Sequence, residues 1–329
     1  MIEPAPDSAG TPAAGLFRFS LEGRRAPALF VTGWLATIIG AATTGVGFAS
    51  SPGGAALLLA AVGLALVSLG LVLLGGSQTV ERGAAGLPYA GPSPILVFLA
   101  VVAVSLFVAI VVGAVLSSAS VKLPLAVGDL VSTAIQALVF VGVVQLMVIG
   151  TGALRWSDMG FRIGARQTTE ALARGALLAA PVVIVTALVA AIVVGIAGVT
   201  PPSPLPSTGT VSGLILHLVA GAIVAPIAEE VLFRGFMVTA WARSNGPRAA
   251  IIRAALLFAT AHVLLIGGDN FGQAASLAFV GAVGRLPVAL ALGWLYLRSR
   301  TIWAPIGLHA AFNAILLVAA ELAAGPLGS

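Results

Sequence analysis

The amino-acid sequence predicts an all-α, polytopic helical membrane protein, and three observations support this prediction. Hydrophobic residues occupy 59% of the 329 positions and charged residues only 8%, whereas a water-soluble domain carries charge at about a quarter of its positions. Apolar runs of about 20 residues, long enough to cross a bilayer as a helix, recur along most of the chain. The sequence lacks the short alternating segments that are typical of a membrane β-barrel.

We place about nine transmembrane helices. They cover residues 28–50, 55–75, 94–117, 129–150, 175–199, 212–240, 249–267, 274–297 and 302–322. With this count, the loops on one side carry Arg18, Arg24, Arg25, Arg82, Arg155, Arg162, Arg166, Arg174, Arg243, Arg248, Arg298 and Arg300. The loops on the other side carry only Lys122. Because Lys and Arg concentrate in cytoplasmic loops, we predict a cytoplasmic N-terminus and an external C-terminus.

The spans divide the chain into five regions. These are a disordered cytoplasmic tail (1–27), N-terminal transmembrane helices (28–150), a cytoplasmic interfacial segment (151–174), a transmembrane core (175–322) and a C-terminal tail (323–329). The segment 151–174 is the longest polar interruption. Its spacing fits an amphipathic helix on the membrane surface with Trp156 and Phe161 as anchors, and it fits a plain connecting loop equally well.

Composition excludes several kinds of function. The chain has no cysteine, so disulfides, thiolate nucleophiles and cysteine-ligated metals are ruled out. The net charge of +5 reflects cytoplasmic loops of a membrane protein and does not indicate nucleic-acid binding. We therefore predict an integral, multi-pass protein of the plasma membrane that is in contact with the lipid bilayer.

A few ionisable and polar groups lie within the predicted spans. The sixth span contains Glu229, Glu230 and Arg234, the seventh contains His262, and the ninth contains His309 and Asn313. An ionisable group at bilayer depth costs a few kcal/mol or more, so it faces the protein interior and has a partner or a function. Each group by itself could be a structural contact between helices. The presence of six such groups on three spans favours a shared site.

Helical spacing separates the two glutamates. Glu230 and Arg234 are four residues apart and share a helix face, so an ion pair is predicted. Glu229 points about 100° away and has no evident cation on its own helix. Pro226 removes a backbone hydrogen bond just before it, which favours a bend that admits water. A carboxylate in that position suits a general base.

The distances along the helices predict that the three spans bring their polar groups to similar depths. At about 1.5 Å per residue, Glu229 lies roughly 20 Å from Arg243 and His309 roughly 14 Å from Arg300. His262 lies roughly 20 Å from the arginine-bearing start of its span. The site is therefore expected in the middle to cytoplasmic half of the membrane. Water and substrate are expected to enter from the cytoplasm or the inner leaflet.

Three short motifs together resemble a known family. "EEVLFR" at 229–234 places two glutamates before an arginine, "FATAH" ends at His262, and "HAAFN" runs from His309 to Asn313. Their order on separate spans is similar to that of the CPBP intramembrane proteases. This group includes CAAX prenyl endopeptidases, bacteriocin-processing proteins and abortive-infection-type proteins. The resemblance covers about residues 156–313 and would make the core 175–322 the catalytic region.

The resemblance implies peptide-bond hydrolysis inside the membrane, on a membrane-embedded or lipidated peptide. It implies that Glu229 and His262 activate water, that His309 and Asn313 stabilise the oxyanion, and that Glu230 and Arg234 hold the site in shape. The cofactor is left open. Zinc is one candidate, since Glu229, His262 and His309 carry suitable donors, but no His-Glu-x-x-His helix is present.

Two other functions remain open. One is a catalytically silent scaffold or accessory subunit for a membrane-protein partner. The other is a transporter whose Glu and His side chains relay protons or bind a cation, which the lack of internal repeats disfavours. Three further charged groups are expected to be structural. His217 is assigned to helix packing, Arg253 to snorkelling toward the cytoplasm, and Arg285 to an ion pair within the bundle rather than to a substrate carboxylate.

Overall fold

The computed structural model describes residues 24–161, 164–202 and 206–325. These residues are 81% helical and contain no strand, which confirms an all-α, polytopic membrane protein. Most of the predicted N-terminal tail, Arg18, Arg162 and the end of the predicted C-terminal tail lie outside the described residues. The orientation of the bundle in the membrane stays a prediction.

The α-helices follow one another with short connections. They are α1 (Pro27–Ala49), α2 (Gly54–Ala84), α3 (Pro94–Ser118), α4 (Leu125–Val144), α5 (Ala165–Leu177), α6 (Ala179–Ala197), α7 (Val211–Leu218), α8 (Ala225–Glu230), α9 (Thr239–Asn245), α10 (Pro247–Ala261), α11 (Phe271–Ser299) and α12 (Trp303–Ala324). Wider π-helical turns interrupt the spans at Gln145–Ile149, Val219–Val224 and Val231–Val238. A 3₁₀ turn covers Trp156–Met159.

Eight helical stretches in the described residues are long and apolar enough to cross a membrane, against the nine spans predicted. The difference lies at the seventh predicted span, 249–267. Its helix, α10, has 15 residues and is about 22 Å long, which is shorter than the hydrocarbon layer of about 30 Å. The chain then continues without a helix from His262 to Asn270, where Gly267 and Gly268 disfavour helix continuation.

The sixth span forms the centre of the bundle. Every residue from Glu230 to Trp241 is buried, and neighbouring helices surround this stretch on all sides. It is built from α7, α8 and α9 with π-helical turns between them. Such π turns are frequent at functional sites because the extra residue per turn redirects side chains and frees backbone groups.

The predicted interfacial segment 151–174 is helical only in its last part. Its helix, α5, begins at Ala165 and carries Arg166, Glu170 and Arg174 on an exposed face. The earlier part folds inward: Trp156 packs edge-on against Phe161, and Phe161 against Trp303, with ring centres 5.3 and 5.7 Å apart. Of the two residues predicted as membrane anchors, Phe161 thus contacts the start of α12, and Trp156 packs against Phe161.

Asp158 joins this inward-folded segment to the arginine-bearing end of the bundle. Its carboxylate accepts the backbone N–H of Arg155 at 3.0 Å and lies 3.6 Å from the guanidinium of Arg243. Burial raises the pKa of Asp158, but this hydrogen bond and the charges of the two arginines outweigh burial, so its pKa lies below the usual value.

Two glycines let α5 lie directly against α12, the helix that carries two site residues. A Cβ at Gly175 would overlap the carbonyl oxygen of Ala304, and a Cβ at Gly307 would overlap that of Leu172. Both obstructions are backbone atoms, which a rotamer change cannot relieve. Contact at this distance is the way small residues bring membrane helices together.

We therefore expect Gly175→Ala to lower the thermal midpoint of the detergent-solubilised protein. Overpacking costs about 1–3 kcal/mol, and the backbone obstruction favours the upper part of that range. Gly195→Ala is the matched control, because this helical glycine has open space around its Cβ position. Equal melting of the two variants would contradict the close contact between α5 and α12.

Candidate active site

The two glutamates end α8, between the two π-helical stretches of the sixth span. Glu230 is fully buried and Glu229 is partly exposed, with 18% of its side chain accessible. The prediction that these neighbours face different surroundings is therefore confirmed. Their environments also assign them different chemistry, because only the accessible carboxylate can meet water or a substrate.

Glu230 holds a buried network together. Its Oε1 accepts hydrogen bonds from Arg234 Nη1 at 2.9 Å and from His309 Nδ1 at 2.8 Å. The predicted ion pair with Arg234 is thus present, and Arg234 also donates to the carbonyl oxygen of Ala289 on α11 at 3.3 Å. One carboxylate therefore ties the sixth span to α12 directly and to α11 through the guanidinium. The contact with His309 was not predicted from the sequence.

Glu229 lies between the two histidines of the motifs. Its Oε2 is 3.7 Å from Nε2 of His262 and 3.7 Å from Nε2 of His309. This oxygen is buried and has no hydrogen-bond partner among the described residues. The structure therefore brings together the three groups for which the helix spacing predicted similar depths.

The remaining hydrogen bonds fix which ring nitrogens face Glu229. Nδ1 of His262 lies 2.8 Å from the carbonyl oxygen of Phe258, which can only accept, so Nδ1 carries the proton. That carbonyl is free because α10 ends at Ala261 and the backbone N–H of His262 bonds to Thr260 instead. Nδ1 of His309 donates to Glu230 in the same way. Both neutral rings thus present an Nε2 lone pair toward Glu229.

Asn313 is positioned by an irregularity of the sixth span. Its Nδ2 donates to the carbonyl oxygen of Gly221 at 2.7 Å. That carbonyl lacks its usual helical donor, because the N–H of Ala225 bonds to Ala220, and the next residue, Pro226, has no N–H. One amide hydrogen of Asn313 satisfies this carbonyl, which leaves the second available to a ligand.

Phe258 connects the buried network to the two histidines. Its ring centre lies 4.4 Å from that of His262 and 5.7 Å from that of His309. The guanidinium carbon of Arg234 lies 4.5 Å from the same ring, within cation–π distance. The sequence placed Phe258 in a motif without a role. Its position shows that it packs against three polar residues of the site at once.

A cavity of about 400 Å³ lies beside these groups, between α6, α11 and α12. Its lining includes His262, His309, Asn313 and Arg285 among mostly apolar side chains. Apolar walls with a few convergent polar groups are typical of ligand sites. The cavity and the histidines therefore form one candidate site.

The cavity extends in a different direction from the route that was predicted for the entry of water and substrate. It extends past Ala320 on α12 to Thr200 and Pro201, which follow the end of α6. These lie at the opposite end of the helices from Arg298 and Arg300, which precede α12. The expectation of entry from the arginine-bearing side is therefore not supported. Distance along a helix estimates depth, but it does not indicate which neighbouring helices leave a gap.

The three charged groups expected to be structural have different surroundings. His217 is buried and lies 3.0 Å from Asp129 on α4, so it does join helices as expected. Arg253 is exposed and donates to Asn245 at the end of α9, at 2.7 Å, which fits snorkelling. The prediction for Arg285 is wrong within the described residues, where no carboxylate lies within 4 Å of its guanidinium and Nη1 bonds to the carbonyl of Gly281.

The donors around Glu229 suit zinc in kind. Two imidazole nitrogens and a carboxylate oxygen face one another, and both histidines are oriented by a second hydrogen bond, as zinc ligands usually are. Within the described ranges, however, no group of three His, Cys, Asp or Glu side chains is arranged to hold a metal ion. The cofactor thus stays open, and if zinc is bound, Glu229, His262 and His309 would hold it.

Comparison with known proteins gives one match. Residues 211–315 match the family model described as type II CAAX prenyl endopeptidase Rce1-like. No curated protein and no solved structure matches the chain. The matched segment contains both glutamates, Arg234, both site histidines and Asn313. The segment that forms the site is thus similar to the type II CAAX prenyl endopeptidases, in agreement with the resemblance that the three motifs indicated.

Proposed function

We propose that this protein is an intramembrane endopeptidase that hydrolyses a peptide bond of a membrane-embedded or lipidated peptide. One observation carries the proposal: the free carboxylate oxygen of Glu229 and the Nε2 atoms of His262 and His309 converge beside an apolar cavity. With both rings neutral, these three atoms are hydrogen-bond acceptors with no donor between them. A water molecule in this position supplies two O–H donors.

In the proposed mechanism Glu229 is the general base. It takes a proton from the water while His262 Nε2 accepts the second hydrogen, which orients the oxygen toward the peptide carbonyl carbon. The tetrahedral intermediate then expels the amine, which receives the proton held by Glu229. One water is consumed, and a carboxylic acid and an amine are released, which ionise to a carboxylate and an ammonium group. Proton transfer by such a positioned group contributes about 10²–10⁴-fold to the rate.

The negative charge on the carbonyl oxygen is stabilised by two donors. Asn313 has one amide hydrogen free beyond its bond to Gly221. The Nε2 atom of His309 becomes the second donor when it carries a proton, and Glu230 fixes the ring in place through Nδ1. Donors fixed before the reaction are effective because they need not reorganise when charge develops. Here His309 is held by the buried network through Glu230, and Asn313 is held by the π turn through the carbonyl of Gly221.

The substrate class follows from the cavity and the family match. The matched family model is that of a prenyl endopeptidase, and the cavity volume falls within the range of roughly 300–1,000 Å³ that is usual for small-ligand sites. The mostly apolar lining is suited to a lipid-modified residue. We therefore propose a prenylated or otherwise lipid-modified peptide as the substrate.

The decisive experiment uses the full-length protein in detergent or liposomes. An S-prenylated peptide is incubated with the parent protein and with Glu229→Ala, and the products are identified by mass spectrometry. The same variants in host membranes, compared by proteomics, identify the natural substrate. Cleavage by the parent alone supports the proposal. Identical peptide patterns from both proteins would contradict it and favour a silent scaffold.

Metal removal tests the role given to Glu229. We expect dialysis against a strong chelator to leave cleavage unchanged, because the proposed steps run through Glu229, His262 and water. Activity that is lost on chelation and restored by zinc would contradict this mechanism. In that case zinc content should fall in His262→Ala, which removes one proposed ligand, and stay unchanged in Glu170→Ala on the exposed face of α5.

A further inference from the structure

Arg285 is a charged residue in the middle of a membrane-spanning helix. It lies 14 residues from each end of α11, or about 21 Å along the helix axis in either direction. A charge at this depth is expensive and, unless it is paired, usually marks a functional site. The sequence alone had favoured a structural ion pair for this residue.

The structure gives Arg285 no such pair within the described residues. The hydrogen bond from Nη1 to the carbonyl oxygen of Gly281, at 2.8 Å, lies within its own helix. The buried Arg234 shows the contrast, because it bonds to Glu230 and to a carbonyl of another helix. A guanidinium has five N–H donors, so most of those on Arg285 are free.

The free donors of Arg285 reach open space. Glu229 and Glu230 each have a buried oxygen without a partner, but no nitrogen of Arg285 is buried in this way. Arg285 lines the same cavity as His262 and His309. Gly281 makes room for it, since a Cβ there would lie 3.2 Å from Nη1 of Arg285. The cavity is therefore mostly apolar, and its wall contains the guanidinium of Arg285, which the charge of Glu229 attracts but which forms no ion pair among the described residues.

We propose that Arg285 binds the free C-terminal carboxylate of the peptide substrate. A guanidinium and a carboxylate form two parallel hydrogen bonds of matching geometry. Every peptide that is not amidated carries such a carboxylate at its C-terminus. The attraction would also repay part of the cost of a charge at this depth. Because Arg285 and the two histidines line one cavity, a peptide whose terminus is held by Arg285 lies in the same cavity as the two histidines.

This inference rests on the proposed endopeptidase function, and it predicts a specificity that the catalytic groups do not. The protein should discriminate against a peptide whose terminus is amidated. Arg285 would act mainly through binding, so its replacement should raise KM for the acid peptide more than it lowers kcat.

Binding tests the inference without requiring turnover. A fluorescent S-prenylated peptide with a free C-terminus and its C-terminal amide are titrated against the full-length protein carrying Glu229→Gln. We expect the acid to bind about tenfold more tightly or better, as a hydrogen bond to a charged group allows. Adding Arg285→Gln should abolish the difference, Arg285→Lys should retain part of it, and Arg253→Gln, at an exposed position, should leave it unchanged.

This experiment distinguishes failure of the proposed role of Arg285 from failure of the proposed endopeptidase function. Equal binding of the acid and the amide, or binding of neither, overturns the role of Arg285 even if cleavage depends on Glu229. A preference for the acid that depends on Arg285, together with no Glu229-dependent cleavage, supports the carboxylate site and overturns the endopeptidase. Arg285→Gln should also melt like the parent, because no ion pair in the described residues is lost.

Discussion

Glu229→Gln is expected to abolish peptide cleavage and to leave the fold intact. The loss should be at least about 10²–10⁴-fold, the contribution of a general base, since an amide cannot take a proton from water. Stability should be unchanged or slightly higher, because the amide N–H can donate to the Nε2 lone pairs of His262 and His309, which face the present carboxylate at 3.7 Å. Initial rates and thermal midpoints measure both effects.

The matched control for this variant is Glu170→Gln. Glu170 also lies on a helix, α5, but its contacts are exposed pairs with Arg166 and Arg174. Its replacement should affect neither cleavage nor melting, because exposed pairs contribute about 0–1 kcal/mol. If Glu229→Gln retained cleavage, Glu229 would have no part in the mechanism, and the roles of the two glutamates would have to be reassigned.

Glu230→Ala is expected to have the largest effect on stability. Removing this carboxylate leaves Arg234, which is 1% exposed, as an unpaired buried charge. Breaking a buried pair on one side costs about 3–5 kcal/mol. The substitution also removes the acceptor that orients His309, so cleavage should fall together with the thermal midpoint in detergent.

Two further variants separate these effects. Glu170→Ala breaks two exposed ion pairs and should change the midpoint little. The double variant Glu230→Leu, Arg234→Met removes both charges and should recover much of the stability, because an apolar pair of similar volume can replace a buried ion pair. It should not recover activity, since His309 stays without its partner. Melting of Glu230→Ala that matched the parent would contradict the buried network.

Helix periodicity made part of the site predictable. Residues four apart share a face of a helix, so the pairing of Glu230 with Arg234 and the separate position of Glu229 follow from spacing alone. Rise per residue placed the motifs at similar depths, and the distances of 3.7 Å around Glu229 agree. Pro226 predicted a local irregularity, which is present as π turns on both sides of α8.

Contacts between distant segments were not predictable in this way. His309 lies 79 positions from Glu230, and Asn313 lies 92 positions from Gly221. The periodicity of a helix does not predict how that helix is rotated about its own axis in the bundle. The seventh predicted span illustrates a different limit, because its apolar length suggested a full crossing of the membrane. Its helix ends at Ala261, and the imidazole of His262 then hydrogen-bonds to the backbone carbonyl of Phe258.

The sequence by itself determined the membrane class, and it predicted the family resemblance and the polar residues of the candidate site, because length, hydrophobicity and i to i+4 spacing are properties of single helices. The tertiary structure decided that one glutamate is locked to Arg234 and His309 while the other stays free between two histidines. It also decided that Arg285 faces a cavity without a carboxylate partner in the described residues. These outcomes depend on how helices rotate and pack against one another, which no single span encodes.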